Sequence, residues 1–83
     1  MFTTYILYSR TLGKYYTGQS QDLARRVEEH NRGKTTGMVK GIPWVLLFSR
    51  DFKTRHEAIM LERFIKKRGA RRFLEDNSLP IVG

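Results

Sequence analysis

Apolar and β-branched residues gather in short runs along this chain, and the spacing within each run predicts the element it forms. Thr3 to Ser9 (Thr-Thr-Tyr-Ile-Leu-Tyr-Ser) is almost uninterrupted by polar residues, the pattern of a strand covered on both faces. Arg10 to Gly13 supplies a turn and Lys14 to Gly18 resumes β-favouring residues, so the two segments read as a hairpin. From Gln21 to Asn31 the period becomes helical. Leu23 and Val27 share a face, Ser20 is available as the cap, and Asn31 to Gly33 offers a stop. Between Gly33 and Gly41, glycines, lysines and threonines follow no usable period, which predicts a mobile surface loop.

Trp44 to Ser49 (Trp-Val-Leu-Leu-Phe-Ser) is a further apolar run of strand length, with Pro43 in front of it. Thr54-Arg55-His56-Glu57 forms a capping box that opens a second helix, on which Ala58, Leu61 and Ile65 make the apolar stripe and which Gly69 ends. Ala70 to Asp76 is a short third helix carrying Phe73 and Leu74 inward. The element order is ββαβαα, without repeat, linker or low-complexity tract. Eighty-three residues hold one hydrophobic core, so residues 1–83 are expected to form a single domain.

Charge narrows the function. Lysine and arginine number 16 against 8 acids, a formal net charge of +8. A field of that size attracts polyanions, nucleic acid above all. An anionic membrane competes less well, because no cationic amphipathic helix stands on a separate tail. With no cysteine, neither disulfides nor thiolate zinc sites contribute, which suits a reducing compartment. Met1 to Tyr8 has no basic lead and no small-residue cleavage site, so no export signal is read and the cytoplasm is the expected location.

Helical geometry singles out a few polar residues. Glu62 lies one step round from Ala58 and Ile65, on the margin of the buried stripe, and Arg26 and His30 border the Leu23 and Val27 stripe. Each residue alone also has a plain reading. Glu62 can pair with Lys66 at i+4, Arg26 and His30 can be surface groups, and Tyr5, Tyr8, Tyr15 and Tyr16 can be strand aromatics. No nucleophile triad, metal-binding histidine pair or phosphate-binding glycine loop is present.

Order and spacing together carry more. Tyr5-Ile6-Leu7, Tyr16-Thr17-Gly18, Asp22-Leu23 with Arg26 and His30-Asn31, Pro43-Trp44, and Thr54-Arg55 leading to Glu57-Ala58, Glu62 and Ile65-Lys66 resemble the GIY-YIG nuclease superfamily over nearly the whole chain. The resemblance is closest to stand-alone members, similar to the catalytic module of the bacterial excision-repair nuclease. It implies an α/β fold of the α+β kind, with a small three-stranded, mainly antiparallel sheet flanked by helices. It implies Tyr5 and Tyr16 in the two triplets, though no glycine precedes Tyr5 and Thr17 replaces an aliphatic centre. Arg26 would be the helix arginine, His30 the frequent helix histidine, and Glu62 the single acidic ligand of one Mg²⁺ or Mn²⁺ ion. Lys40 resembles the loop lysine before the Pro-Trp pair, and Asn77 a C-terminal asparagine of some members.

Those groups suit phosphodiester hydrolysis. A divalent ion on one carboxylate fills its remaining positions with water and substrate oxygens, as Mg²⁺ prefers. A tyrosine base working near pH 7 requires its pKa of about 10 to fall by three units, roughly 4 kcal/mol in favour of the phenolate. Tyr5 is the leading base, with Tyr16 either its hydrogen-bonding neighbour or the base itself. Arg26 suits the scissile phosphate, and His30 a proton relay or a water-positioning role. Arg63, Lys66, Lys67, Arg68, Arg71 and Arg72, with Lys34 and Lys40, could grip flanking phosphates. The expected activity is metal-dependent cleavage of DNA, with RNA left open, by a monomer or weak dimer that has no membrane partner. The alternatives are a non-catalytic nucleic-acid-binding module of the same fold and a small structural RNA-binding protein.

Overall fold

The computed structural model describes residues 1–79; residues 80–83 of the expected 1–83 domain lie outside that description. Strands β1 (Phe2–Ser9), β2 (Lys14–Ser20) and β3 (Trp44–Phe52) form one antiparallel sheet in the order β2-β1-β3. Helix α1 (Leu23–Asn31) follows β2, while α2 (Arg55–Arg68) and α3 (Ala70–Asp76) follow β3. The expected α+β order, ββαβαα, is the observed one.

The long apolar run becomes the central strand because only a strand paired on both sides and covered on both faces buries such a run completely. Side chains alternate across β1. Tyr5 and Leu7 enter a cluster with Met38 and Trp44, against which Leu23 and Val27 of α1 pack. Ile6 enters the opposite cluster with Ile65, Phe73 and Leu74 of α2 and α3. The β1–β3 register slips between Ile6 and Leu7, passing over Leu47. That bulge lets the consecutive Leu47 and Phe48 both pack on the second cluster. The hydroxyl of Thr4 donates to the Ala58 carbonyl at 2.7 Å, tying β1 to α2 inside the core.

Tertiary pairing moves several expected boundaries. β3 runs through Phe52 because Arg50, Asp51 and Phe52 pair with Thr4, Thr3 and Phe2, and the Thr3 hydroxyl donates to Asp51 at 2.6 Å. Asp22, not Ser20, caps α1: its carboxylate accepts the Arg25 N–H at 3.2 Å, while the Ser20 hydroxyl accepts the Asp22 N–H. A carboxylate two residues nearer the helix is the better acceptor for its free N–H groups.

At α2 the expected cap forms, with the Glu57 N–H donating to Thr54 Oγ1 at 3.2 Å. The Glu57 carboxylate meets the Thr54 hydroxyl at 2.9 Å instead of reaching the backbone. Gly13 and Gly69 take positive φ, 64° and 96°, at the hairpin turn and at the α2–α3 break, where a side chain would be strained.

The segment expected to be a surface loop is anchored. Met38 is buried in the Tyr5 cluster, a single 3₁₀ turn spans Val39–Gly41, and the Trp44 indole donates to the Met38 carbonyl at 2.8 Å. Met38, the indole donor and the contact between Thr35 and His30 anchor a segment that has no period of its own.

Candidate active site

The β1–β2 register places Tyr5 opposite Gly18. A Cβ at position 18 would lie 2.7 Å from the Tyr5 hydroxyl, 2.9 Å from Tyr5 Cζ and 3.1 Å from Tyr16 Cε2. The missing side chain is therefore the space in which the Tyr5 hydroxyl and the Tyr16 ring edge sit. The two rings are tilted, with centroids 6.3 Å apart. Tyr5 is 1% exposed and Tyr16 is half-buried.

Burial decides the electrostatics of Tyr5. Its pKa is pushed up to about 12, chiefly by loss of hydration, with Tyr16 and Glu62 adding to the rise and Arg26 opposing it. In the protein alone, without the divalent ion expected beside it, desolvation outweighs Arg26. Arg26 on α1 and Glu62 on α2 both act on Tyr5, although α2 packs on the opposite face of the sheet.

His30 projects from α1 into this cluster and is buried, not the surface group its position also allowed. Its ring meets Tyr16 edge-on with centroids 5.6 Å apart, and its Nδ1 lies 2.9 Å from the Thr35 hydroxyl. Nε2 is buried without a hydrogen-bond partner. Burial lowers the His30 pKa, helped by the Arg26 charge and opposed by Glu29, so the imidazole is neutral at pH 7. Trp44 closes the other side of Tyr16 at 6.3 Å between centroids. Asn31 holds α1 against β3: its Nδ2 donates to the Trp44 carbonyl at 3.1 Å and its Oδ1 accepts the Trp44 N–H at 2.6 Å.

Glu62 keeps its marginal place, with 19% of its side chain exposed, and Lys66 Nζ donates to its Oε2 at 2.8 Å. Glu62 is thus both marginal to the core and paired with Lys66. Among the described residues no group of three or more His, Cys, Asp or Glu side chains could hold a metal ion. A cation at Glu62 would thus take one protein carboxylate and complete its shell with water and ligand oxygens, a donor set that fits Mg²⁺ and not zinc.

Several of the basic residues are engaged by acids. Lys66 is engaged by Glu62, Arg71 lies 3.9 Å from Glu75, and Arg68 grips Asp76 through two hydrogen bonds of 2.7 and 3.0 Å. That fork holds the Asp76 carboxyl below its usual range and joins α2 to α3. Lys67, Arg68 and Arg72 surround the exposed Phe64 in a groove of about 370 Å³. Arg63, Lys67, Arg72, Lys34 and Lys40 make no ion pair among the described residues, and Lys34 and Lys40 stand exposed on the segment that carries Met38. Asn77 caps α3, its Nδ2 donating to the Phe73 carbonyl at 2.8 Å.

Sequence reasoning passed over Thr35, the Asn31 clamp, and Arg25 and Arg55, which share a polar cleft with Arg26. Only the charge of the two arginines was visible in the sequence; their proximity arises from packing.

Comparison with known proteins gives a consistent result. The model of the GIY-YIG catalytic domain matches residues 1–74. A UPF0213 protein encoded in the 5′ region of ldhD of Pediococcus acidilactici is 34% identical over 73 residues, covering 81% of this chain and 74% of that one. The UPF0213 protein YazA of Bacillus subtilis is 39% identical over 54 residues, 64% of this chain and about half (54%) of its own length. Among solved structures, the solution NMR structure of a UPF0213 protein from Bacillus halodurans aligns over 94% of this chain and 84% of its own, with a TM-score of 0.57 and 30% identity. No helix among the described residues is long and apolar enough to cross a membrane.

Proposed function

Because the chain belongs to the GIY-YIG family, whose domain model spans residues 1–74, we propose that it is a metal-dependent endonuclease hydrolysing phosphodiester bonds in DNA. The observation that carries this reading is the grouping at Gly18: two tyrosines packed on a glycine, with Arg26 and Glu62 near enough to shift the Tyr5 pKa, in opposite directions. A binding module gains nothing from a carboxylate at a face that meets phosphate, whereas a hydrolase needs one to hold a cation.

The residues divide the work by burial. Arg26 is exposed and always charged, so it takes the scissile phosphate through its planar fork and stabilises the charge that grows there. Glu62 would hold one Mg²⁺ or Mn²⁺ ion, which when bound supplies electrostatic stabilisation to the phosphoryl group. Tyr16, half-buried, takes the proton of the attacking water. Tyr16 does so as the phenolate and becomes a neutral phenol on taking that proton, while Tyr5, buried and held protonated, donates a hydrogen bond that stabilises the phenolate beforehand. Neutral His30, packed edge-on against Tyr16, positions that ring. The unpaired lysines and arginines hold flanking phosphates without reading bases.

The test is a panel of single-stranded, duplex, flap and branched DNA, with RNA counterparts, incubated with Mg²⁺ or Mn²⁺. The expected result is cutting that Glu62→Ala abolishes while binding persists, and that Tyr16→Phe reduces about 10²- to 10⁴-fold, more than Tyr5→Phe does. Equal cutting by Glu62→Ala overturns the metal assignment. Salt-sensitive binding without cutting of any substrate establishes the non-catalytic module instead.

A further inference from the structure

Between the end of β2 and the first turns of α1 and α2 lies a polar cleft of about 410 Å³ that contains Arg26, and with it Arg25 and Arg55. We propose that this cleft is a subsite for a nucleotide adjoining the scissile phosphate, with the Arg55 guanidinium holding that nucleotide's phosphate. Its register rests on the nuclease reading, through Arg26; its affinity for nucleic acid does not.

Three arginines in one cleft create an anion site only if acids do not consume them. Two acids line the same cleft, Glu29, which lies 3.7 Å from Arg25, and Asp22, whose carboxylate is taken up in capping α1, whereas Arg26 and Arg55 make no ion pair among the described residues. Arg55 is nevertheless held in place: its guanidinium sits over the Phe2 ring, 5.4 Å from the centroid. Stacking uses the face of the fork and leaves its edge N–H donors free for a phosphate. A second wall asks for the opposite chemistry. Gln19 lines the same cleft, and its Oε1 is turned in and buried with no hydrogen-bond partner, so its carboxamide gains one by rotating toward a bound group. A phosphate has no proton to offer it at neutral pH, but a base amino group or a sugar hydroxyl does. Donors for an anion, together with a carboxamide that can turn to meet a neutral donor in the same cleft, suit a nucleotide better than a bare anion.

The inference is tested by binding in the Glu62→Ala background, so that nothing is cut. Single-stranded oligonucleotides carry one neutral methylphosphonate at each linkage in turn. With Arg55 present, one linkage should lose affinity about five- to thirtyfold when neutralised. Arg55→Ala should lose a similar factor on the unmodified strand and become indifferent at that linkage, and its log Kd against log salt should flatten by about 0.7. Arg55→Lys should keep the salt slope and lose most of the linkage preference. Thermal unfolding checks that each variant is folded, and Arg55→Gln replaces alanine if needed. An unchanged salt slope, a linkage effect that survives Arg55→Ala, or an equal loss of affinity for a polyglutamate peptide overturns the subsite. If the parent chain cuts nothing, the nuclease reading falls while the scan still reports on the cleft.

Discussion

Gly18→Ala tests the core of the site with one methyl group. The added carbon would stand 2.7 and 2.9 Å from the hydroxyl and Cζ of Tyr5 and 3.1 Å from Tyr16 Cε2. Carbon and oxygen atoms in good contact sit at about 3.5–4.0 Å, so something must move by several tenths of an ångström. Tyr5 is 1% exposed and cannot swing into solvent. Overpacking of this kind costs about 1–3 kcal/mol, and each kcal/mol lowers the Tm of a domain this size by roughly 4–8 °C. The displaced ring edge belongs to Tyr16, so cleavage should fall about 10²-fold, as small misplacements of reacting groups do. Calorimetry and single-turnover cleavage read the two effects. Tyr5→Phe removes the nearest of the three contacts but leaves Cζ in place. The double variant should therefore recover part of the loss, with a coupling energy of about 0.5–2 kcal/mol in the cycle. Additive effects, or a Gly18→Ala protein with unchanged Tm and rate, would refute the packing of the tyrosines on Gly18.

Lys66→Met should lower the Mg²⁺ concentration for half-maximal cleavage about twofold, because an exposed i, i+4 pair is worth only about 0.3–0.5 kcal/mol; an unchanged metal titration would show that the pair does not compete with the ion. Tyr5 titrates near 12 when folded and near 10 when unfolded, so its contribution is complete below pH 10 and is lost as pH rises through 12, up to about 3 kcal/mol. Alkaline unfolding followed by circular dichroism should accordingly be shallower for Tyr5→Phe. His30 has the opposite sign: with its folded pKa lowered, the unfolded chain takes up the proton first, and stability falls as pH drops below about 6.5. Thermal midpoints measured from pH 7 to 5 should decline less for His30→Gln than for the parent. Asn31→Leu deletes two hydrogen bonds to the backbone of Trp44 and should cost about 1–3 kcal/mol, read as a lower urea midpoint with the same m-value.

The chain's local periods were enough to order its elements. Thr3 to Ser9 could only be a strand covered twice, Leu23 and Val27 share a face because 3.6 residues make a turn, and Glu62 falls beside Ala58 and Ile65 by the same arithmetic. The Thr54 capping box was equally local, and the net positive charge and the motif order together indicated the substrate class and the family. What lay beyond reach depends on which surfaces meet. Cross-strand register set Gly18 beneath Tyr5, and the hydration lost there, not the charges nearby, decides that Tyr5 stays protonated. Packing of α1 on the sheet buried His30 against Tyr16, folded Met38 into the core, and brought Arg55 to Arg26 from a different helix. Periodicity is a property of neighbours along the chain; desolvation and convergent charge belong to neighbours in space, and only the folded chain defines those.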